Sequence, residues 1–139
     1  HLEKNKIGDA GCEAIGRNVT WVNLKVLYLS ENKKIGNKGA IAIGSNTSWS
    51  NLEELYLGDN QIGDKGASAI GRNTTWMKLR VLALNINQIG KAGCEAICKN
   101  SMWVNLEELH LMKNKMGDKG AAMIRSTGDL EKTQKTYPK

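Results

Sequence analysis

The chain has 139 residues, of which 40% are hydrophobic and 24% are charged, and its formal net charge at pH 7 is +6. This length and apolar content predict one domain that buries a continuous core. No apolar run approaches the ~18 residues of a membrane-spanning helix, so we expect no such helix and no membrane partner. With two histidines and three cysteines, the chain offers few groups for nucleophilic or metal chemistry.

One phrase recurs five times along the chain, first as IGDAGCEAI at 7–15 and then, with substitutions, at 35–43, 62–70, 89–97 and 116–124. A second phrase, W-x-x-L-x-x-L-x-L-x-x-N, lies between these copies. Its four tryptophans are 28, 27 and 27 residues apart: Trp21, Trp49, Trp76 and Trp103. A fixed period indicates a solenoid, in which each repeat buries its apolar face only by stacking on its neighbours.

The repeat over 52–78 shows the predicted strand. Leu55 and Leu57 alternate with polar residues, as a half-buried strand requires, and Asn60 ends it. The amide at this position both donates and accepts, so we expect the asparagine column to bond the backbone of the next coil. This column is Asn32, Asn60, Asn87 and Asn114. One repeat carries an extra residue at 33–34, which we place in a surface loop.

A short helix is predicted over about 65–72. Asp64 precedes it and is a good N-cap, while Ala67 and Ile70 should face the sheet. Lys91 stands in the same column as Asp64, so we expect its own helix to begin less firmly. One glycine column suits close approach of adjacent coils. Asn73 is placed to end the helix in a left-handed conformation, and the tryptophan that follows should fill the core.

The predicted boundaries are a repeat domain over 1–125 and a polar tail over 126–139 that is partly disordered. His1 aligns with His110, which places the first residue inside a strand and indicates a piece of a longer array. We therefore expect Ile7 and Leu27 to be poorly covered, and the N-terminal edge to self-associate. Leu130 is the candidate lid at the other end.

The pattern L-x-x-L-x-L-x-x-N-x-I-G-D-x-G-A-x-A-I resembles leucine-rich repeats, in particular their ribonuclease-inhibitor-like subfamily, over about residues 1–125. The resemblance implies an α/β solenoid with parallel strands on a concave face and short helices on the convex face. It also implies a non-enzymatic protein-binding scaffold without cofactors. Such arrays commonly form the sensing part of innate immune receptors or of microbial effectors. The period is slightly short for the subfamily, and tryptophan replaces an aliphatic residue.

The cysteines favour a reducing compartment. Cys12 and Cys94 occupy one column three repeats apart, too far for a disulfide, and Cys98 follows Cys94 by one helical turn. We therefore predict free thiols and an intracellular, cytoplasmic protein. Sequons at Asn18, Asn46 and Asn73 point the other way, but the fourth member of this column, in Asn100-Ser101-Met102, keeps the asparagine without the sequon. The turn itself therefore favours asparagine.

Catalytic, metal and nucleic-acid readings find little support. No histidine pair or cysteine pair has metal-ligand spacing. The glycines at 58–63 are followed by Asp64, where a phosphate-binding loop needs Lys-Ser/Thr. The basic surplus is scattered over loops, helices and the tail, without interleaved aromatic residues, so we expect no nucleic-acid partner. Stacking of bases on the tryptophans is a weaker interpretation than core filling.

The outward side of the predicted sheet, which we call the strand face, carries residues that the scaffold does not require. Tyrosine among acidic neighbours is typical of protein-recognition surfaces, because it offers large contact area at low entropy cost. The predicted protein-binding residues are Tyr28, Glu31, Glu54, Tyr56, Asp59, Val81, Ile86 and His110. Acids outnumber bases on this face by seven to four, which favours a partner with a basic rim. The alternative is that these positions vary without function.

The function predicted from the sequence is protein recognition through the strand face. Two alternatives remain at this point. One is a regulatory module whose convex or loop surface acts on a nucleotide-hydrolysing partner, and the other is a structural spacer.

Overall fold

The computed structural model describes residues 1–126 as alternating short strands and helices, which confirms the predicted α/β solenoid. The strands form one parallel sheet in the order β1 (Val26–Tyr28), β2 (Glu54–Tyr56), β3 (Val81–Ala83) and β4 (Glu108–His110). The helices are α1 (Asp9–Gly16), α2 (Asn37–Gly44), α3 (Asp64–Gly71), α4 (Lys91–Cys98) and α5 (Gly117–Ser126). Ser126, predicted to belong to the tail, ends α5. Leu130 and the rest of the tail lie outside the described residues.

The core is a stack of equivalent residues from successive repeats. Strand register aligns Leu27, Leu55, Leu82 and Leu109, and all four are buried. Ala67 and Ile70 of α3 are fully buried, as predicted. The tryptophan column fills the core, as predicted, at its second, third and fourth members. Trp21 is 42% exposed because it belongs to the first repeat and has less of the chain stacked against it.

The strand-ending asparagines bond the backbone of the preceding coil. The prediction that they bond the backbone of the next coil was wrong. The Asn32 Oδ1 accepts hydrogen bonds from the backbone N–H groups of Asn5 and Ile7, both at 2.9 Å. Its Nδ2 donates to the carbonyl oxygens of Leu2 at 3.1 Å and Leu29 at 2.9 Å. The backbone of one coil is therefore satisfied by a side chain of the coil that follows it.

Asn60 shows the effect of the inserted residue. The Oδ1 of Asn87 and of Asn114 accepts a backbone N–H of the preceding coil, whereas the buried Oδ1 of Asn60 has no partner. Its equivalent donor is the N–H of Ile35, directly after the extra residue at 33–34. We therefore assign the lost bond to the insertion, and an unpaired buried acceptor costs about 1–3 kcal/mol.

A second asparagine column closes the helix ends. The Asn46 Oδ1 accepts from the backbone N–H of Ser48 at 2.8 Å and of Trp49 at 3.2 Å. Its Nδ2 donates to the carbonyls of Gly16 and Asn18 in the preceding coil, both at 2.8 Å. The predicted left-handed conformation is wrong for this column. Positive φ occurs instead in the column Lys4, Glu31, Asp59, Ile86 and Lys113, and at Lys6 and Lys33.

Asp64 caps the helix of the next coil, which corrects the prediction that it caps its own. The N-cap of α3 is Gly63, without a side-chain hydrogen bond. The Asp64 Oδ1 instead accepts from the backbone N–H groups of Gly90 and Gly93 at 2.8 Å each. Asp9 bonds Gly36 and Gly39, and Asn37 bonds Gly63 and Gly66, in the same way. Each carboxylate or amide thus caps its neighbour's helix.

Lys91 leaves the N-terminus of α5 without a capping side chain. The prediction that α4, the helix of Lys91 itself, begins less firmly was wrong. The N-terminus of α4 is capped by Asp64, whereas Lys91 offers α5 no acceptor. Cys98 adds a steric difference between α5 and the other helices. It occupies the column of Gly71, where a Cβ would lie 2.7 Å from the backbone of Ala96 in the next helix. By the same geometry, we expect the Cys98 side chain to limit how closely α5 approaches α4.

The N-terminal edge is better covered than predicted. Leu27 is 4% exposed, which corrects the expectation of poor cover there, while Ile7 is partly buried. Leu2 packs against the core, and its N–H donates to the Tyr28 carbonyl at 2.9 Å. Residues 1–4 thus extend the ladder of β1, although the predicted strand at His1 does not form as a regular element.

Replacing Asp64 with alanine should destabilise the protein by about 1–3 kcal/mol, because two helix-terminal N–H groups lose their acceptor. Asp64→Asn is the matched control and should be tolerated, since Asn37 performs the same role in its repeat. Urea unfolding followed by circular dichroism measures both variants. Equal stability of the alanine and asparagine variants would contradict capping between coils.

Replacing Lys91 with aspartate should stabilise α5 by roughly 0.5–2 kcal/mol, the usual contribution of a capping side chain. Lys91→Ala removes the lysine without adding an acceptor and should leave the stability of α5 nearly unchanged. Thermal unfolding of the two variants checks this, and a Lys91→Asp protein that melts no higher than Lys91→Ala refutes it.

Candidate functional site: the strand face

The strand face carries a column of stacked rings. The rings of Tyr28 and Tyr56 lie 4.5 Å apart at an interplanar angle of 8°, and His1 stacks on Tyr28 at 4.3 Å. These contacts arise because parallel register places Tyr28 beside Tyr56, followed by Ala83 and His110. The column therefore contains rings on β1, β2 and β4, but a methyl group on β3.

Two carboxylates flank this column one row away. The Tyr56 hydroxyl donates to Glu54 Oε2 at 2.9 Å, and His110 Nε2 lies 3.1 Å from Glu108 Oε2. Burial, and then the hydrogen bond to Glu54, raise the pKa of Tyr56 above its ordinary value. The phenol therefore remains a neutral donor that holds the Glu54 carboxylate in place.

Most other acids of the strand face are already paired. Glu31 lies 3.5 Å from Lys4, and Asp59 forms an ion pair with Lys33. Lys25 lies 3.7 Å from Glu53, and Arg80 bonds Glu107 with two nitrogens, at 2.9 and 3.1 Å. Within residues 1–126, Glu54 and Glu108 are acids of this face that form no ion pair with lysine or arginine.

The predicted apolar members occupy different environments. Val81 is only 7% exposed, less than an outward contact residue should be, because it lies between Glu54 and Glu108 in the sheet register. Ile86 is 40% exposed and has φ of +55°, a conformation that is strained for a β-branched side chain. The same column holds charged residues in the other repeats.

Ala83 creates a slot between two rings. A cavity of about 340 Å³ opens there and is lined by Tyr56, Ala83, Asn85, Ile86, His110, Met112 and Lys113. Sequence reasoning missed Ala83 and Met112 as site residues. The available signal was the column itself, in which a small residue stands between tyrosine and histidine.

The structure brings together Tyr28, Tyr56, Glu54, Val81 and His110 through the pairing of adjacent strands. Glu31, Asp59 and Ile86 lie just beyond the strands, in the left-handed column. The predicted residues thus form three neighbouring rows, two on the sheet and one just beyond it, and their part in binding stays a prediction.

The three cysteines are free thiols, as predicted. Cys12 and Cys94 are fully buried, and the Sγ atoms of Cys94 and Cys98 lie 3.9 Å apart. Burial and the nearby Asp9 raise the pKa of Cys12 to about 12. Hydrogen bonding to Cys94, with burial, also raises the pKa of Cys98, which makes it a poor nucleophile.

Residues 1–126 contain no cluster of three or more histidine, cysteine or acidic side chains that could hold a metal ion. None of the helices described is long and apolar enough to cross a membrane.

The parallel repeats with strands on one side and helices on the other define a solenoid of the leucine-rich repeat type. The family model described as leucine-rich repeat matches residues 1–16, 22–44, 50–71, 77–98 and 104–124, and the chain belongs to this family. Domains of the family are generally non-catalytic and commonly mediate protein–protein interaction. A search of curated proteins finds no match to this chain.

The Cys12 thiol should react very slowly with iodoacetamide in the folded protein. A pKa of about 12, instead of 9.0, lowers the thiolate fraction at pH 8 roughly a thousandfold, and burial adds a steric barrier. Mass spectrometry of tryptic peptides after timed alkylation, with and without denaturant, measures this. Equal labelling rates under the two conditions would show that Cys12 is accessible.

Proposed function

We propose that this chain is a protein-recognition module that binds its partner through the strand face. The observation that carries the proposal is the ring column of Tyr28 and Tyr56 beside two carboxylates, Glu54 and Glu108, that form no ion pair with a lysine or arginine within residues 1–126. The core requires only the inward leucines of these strands. The outward rings and acids therefore add no packing that the scaffold needs.

The same charges support a partner with a basic rim. Glu54 and Glu108 are held by neutral or weakly basic groups, whereas Glu31 and Asp59 already have lysine partners. A cation of the partner gains more interaction energy at Glu54 and Glu108 than at Glu31 and Asp59, because it displaces no lysine there. We therefore narrow the predicted basic contact to the row of Glu54, Val81 and Glu108.

The finer family assignment is also a proposal. The helices opposite the sheet support the ribonuclease-inhibitor-like subfamily, and membership supports a sensing role in a larger immune receptor or effector. Free thiols support a reducing, cytoplasmic location. Asn46 and Asn73 further support it, because their Nδ2 atoms, to which a glycan would attach, are buried in hydrogen bonds between coils.

Self-association through the N-terminal edge is proposed as a secondary property. Val19, Trp21 and Val22 are 65%, 42% and 49% exposed at this edge. A second copy that stacked there would bury apolar surface in the way that a preceding repeat does.

A groove on the helix side favours the alternative of a regulatory module. It has a volume of about 520 Å³ between the ends of α3 and α4, and its charged lining residues are Arg72, Glu95 and Lys99. Lys99 is already bonded to Glu95, which weakens its availability to a partner.

Tyr56→Ala should weaken binding of the isolated partner about thirtyfold or more and leave folding intact, because its ring contacts Tyr28 and not the core. The partner would be purified from the source organism with the wild-type protein and identified. Its affinity for each variant would then be measured by calorimetry.

Lys65→Ala and Arg72→Ala are the matched controls on the helix side, where both side chains are exposed. They should change affinity less than threefold. If these controls abolish binding while Tyr56→Ala is neutral, the helix-side alternative replaces the proposal.

A further inference from the structure

The slot over β3 is as wide as one aromatic ring stacked between two others requires. Tyr56 on β2 and His110 on β4 are separated by a single strand, so their backbones lie about 9.6 Å apart. A ring midway between them would lie about 4.8 Å from each, within the range of stacked aromatic pairs. The neighbouring rings of the column already stack at 4.3 and 4.5 Å.

The floor of the slot is apolar, and its far end combines two apolar side chains with Asn85 and Lys113. Ala83 is 5% exposed and forms the floor, while Ile86 and Met112 are exposed at the far end. Met112 offers a polarisable thioether, which contacts aromatic rings favourably. A flat ring fills such a slot better than a branched aliphatic group, because both walls are planar.

The row next to the slot is acidic. Glu54 and Glu108 flank Val81 in the sheet register, two residues before Ala83 along the strand. The backbones of the two glutamates are about 9.6 Å apart, so a lysine or arginine side chain lying over Val81 reaches both carboxylates. Lys113 lies at the opposite end of the slot, so the site is acidic at one end and basic at the other.

We propose that the slot between Tyr56 and His110 binds a planar aromatic side chain of the protein partner, with a neighbouring lysine or arginine of that partner between Glu54 and Glu108. The proposal rests on recognition through the strand face and specifies the partner's chemistry. A nucleobase would fit the walls, but the phosphates beside it would meet the two carboxylates. Charge complementarity therefore selects a basic, aromatic peptide segment.

The test uses capped dipeptides as probes. Acetyl-Arg-Trp-amide should bind the full chain about tenfold more tightly than acetyl-Arg-Leu-amide, because only tryptophan stacks on both walls. Binding is followed by NMR through the methyl resonance of Ala83. An indole ring above that methyl group should shift its resonance upfield, and the leucine probe should not.

Ala83→Tyr is the matched variant, because tyrosine occupies the same column at Tyr28 and Tyr56. This variant should remain folded and continue the ring stack. Its affinity for the tryptophan probe should fall at least about tenfold. Glu54→Gln with Glu108→Gln should weaken the probe about threefold to tenfold while the saturated Ala83 shift is retained. If Ala83→Tyr does not fold, the two probes still decide the question on the wild-type chain.

Equal affinity for the tryptophan and leucine probes, or no upfield shift of the Ala83 methyl group, overturns the slot. Tighter binding of the dinucleotide pTpT than of the peptide overturns the assignment of its occupant. The isolated protein partner separates the two proposals. Loss of its binding in Tyr56→Ala but not in Ala83→Tyr refutes the slot alone, whereas insensitivity to both refutes the strand face as well.

Discussion

The structure depends on polar side chains that satisfy the backbone of a neighbouring coil. A coil of 27 or 28 residues has a strand of three residues and a helix of about eight, so most of its backbone polar groups lie outside regular ladders. Asn32 serves the coil before it, and Asp64 serves the coil after it. Because the bonds run in both directions, each coil holds its neighbours in register. The leucines then stack and the strands align, which places the outward residues in straight columns.

Periodicity predicted the fold, because the repeat spacing determines which residues stack. It predicted the buried faces of Leu55, Ala67 and Ile70 for the same reason. Local rules failed where an interaction crosses between coils. Asp64 before a helix has the sequence signature of an ordinary N-cap, and the signature does not tell which helix it caps. The effect of Lys91 was accordingly placed one repeat too early.

The site was predictable only in part. Alternation along each strand identifies Tyr28, Tyr56 and His110 as outward residues, but neutralisation of Glu31 and Asp59 depends on lysines one repeat away. Burial of Val81 depends on the longer side chains of Glu54 and Glu108 on the adjacent strands. The slot at Ala83 likewise forms only when Tyr56, Ala83 and His110, from three successive repeats, lie side by side in the sheet. Such features emerge when the sequence is aligned by strand register and residues are compared across it.

Amide hydrogen exchange of the helix-terminal glycines tests capping between coils most directly. Gly39, Gly66 and Gly93 each donate to a carboxylate or amide of the preceding coil at 2.8–2.9 Å, whereas Gly120 donates to the Met116 carbonyl at 3.3 Å. Capping between coils should give strong protection of the first three amides and faster exchange at Gly120. Exchange of Gly93 at the rate of Gly120, in the native protein under conditions where the core remains protected, would contradict it.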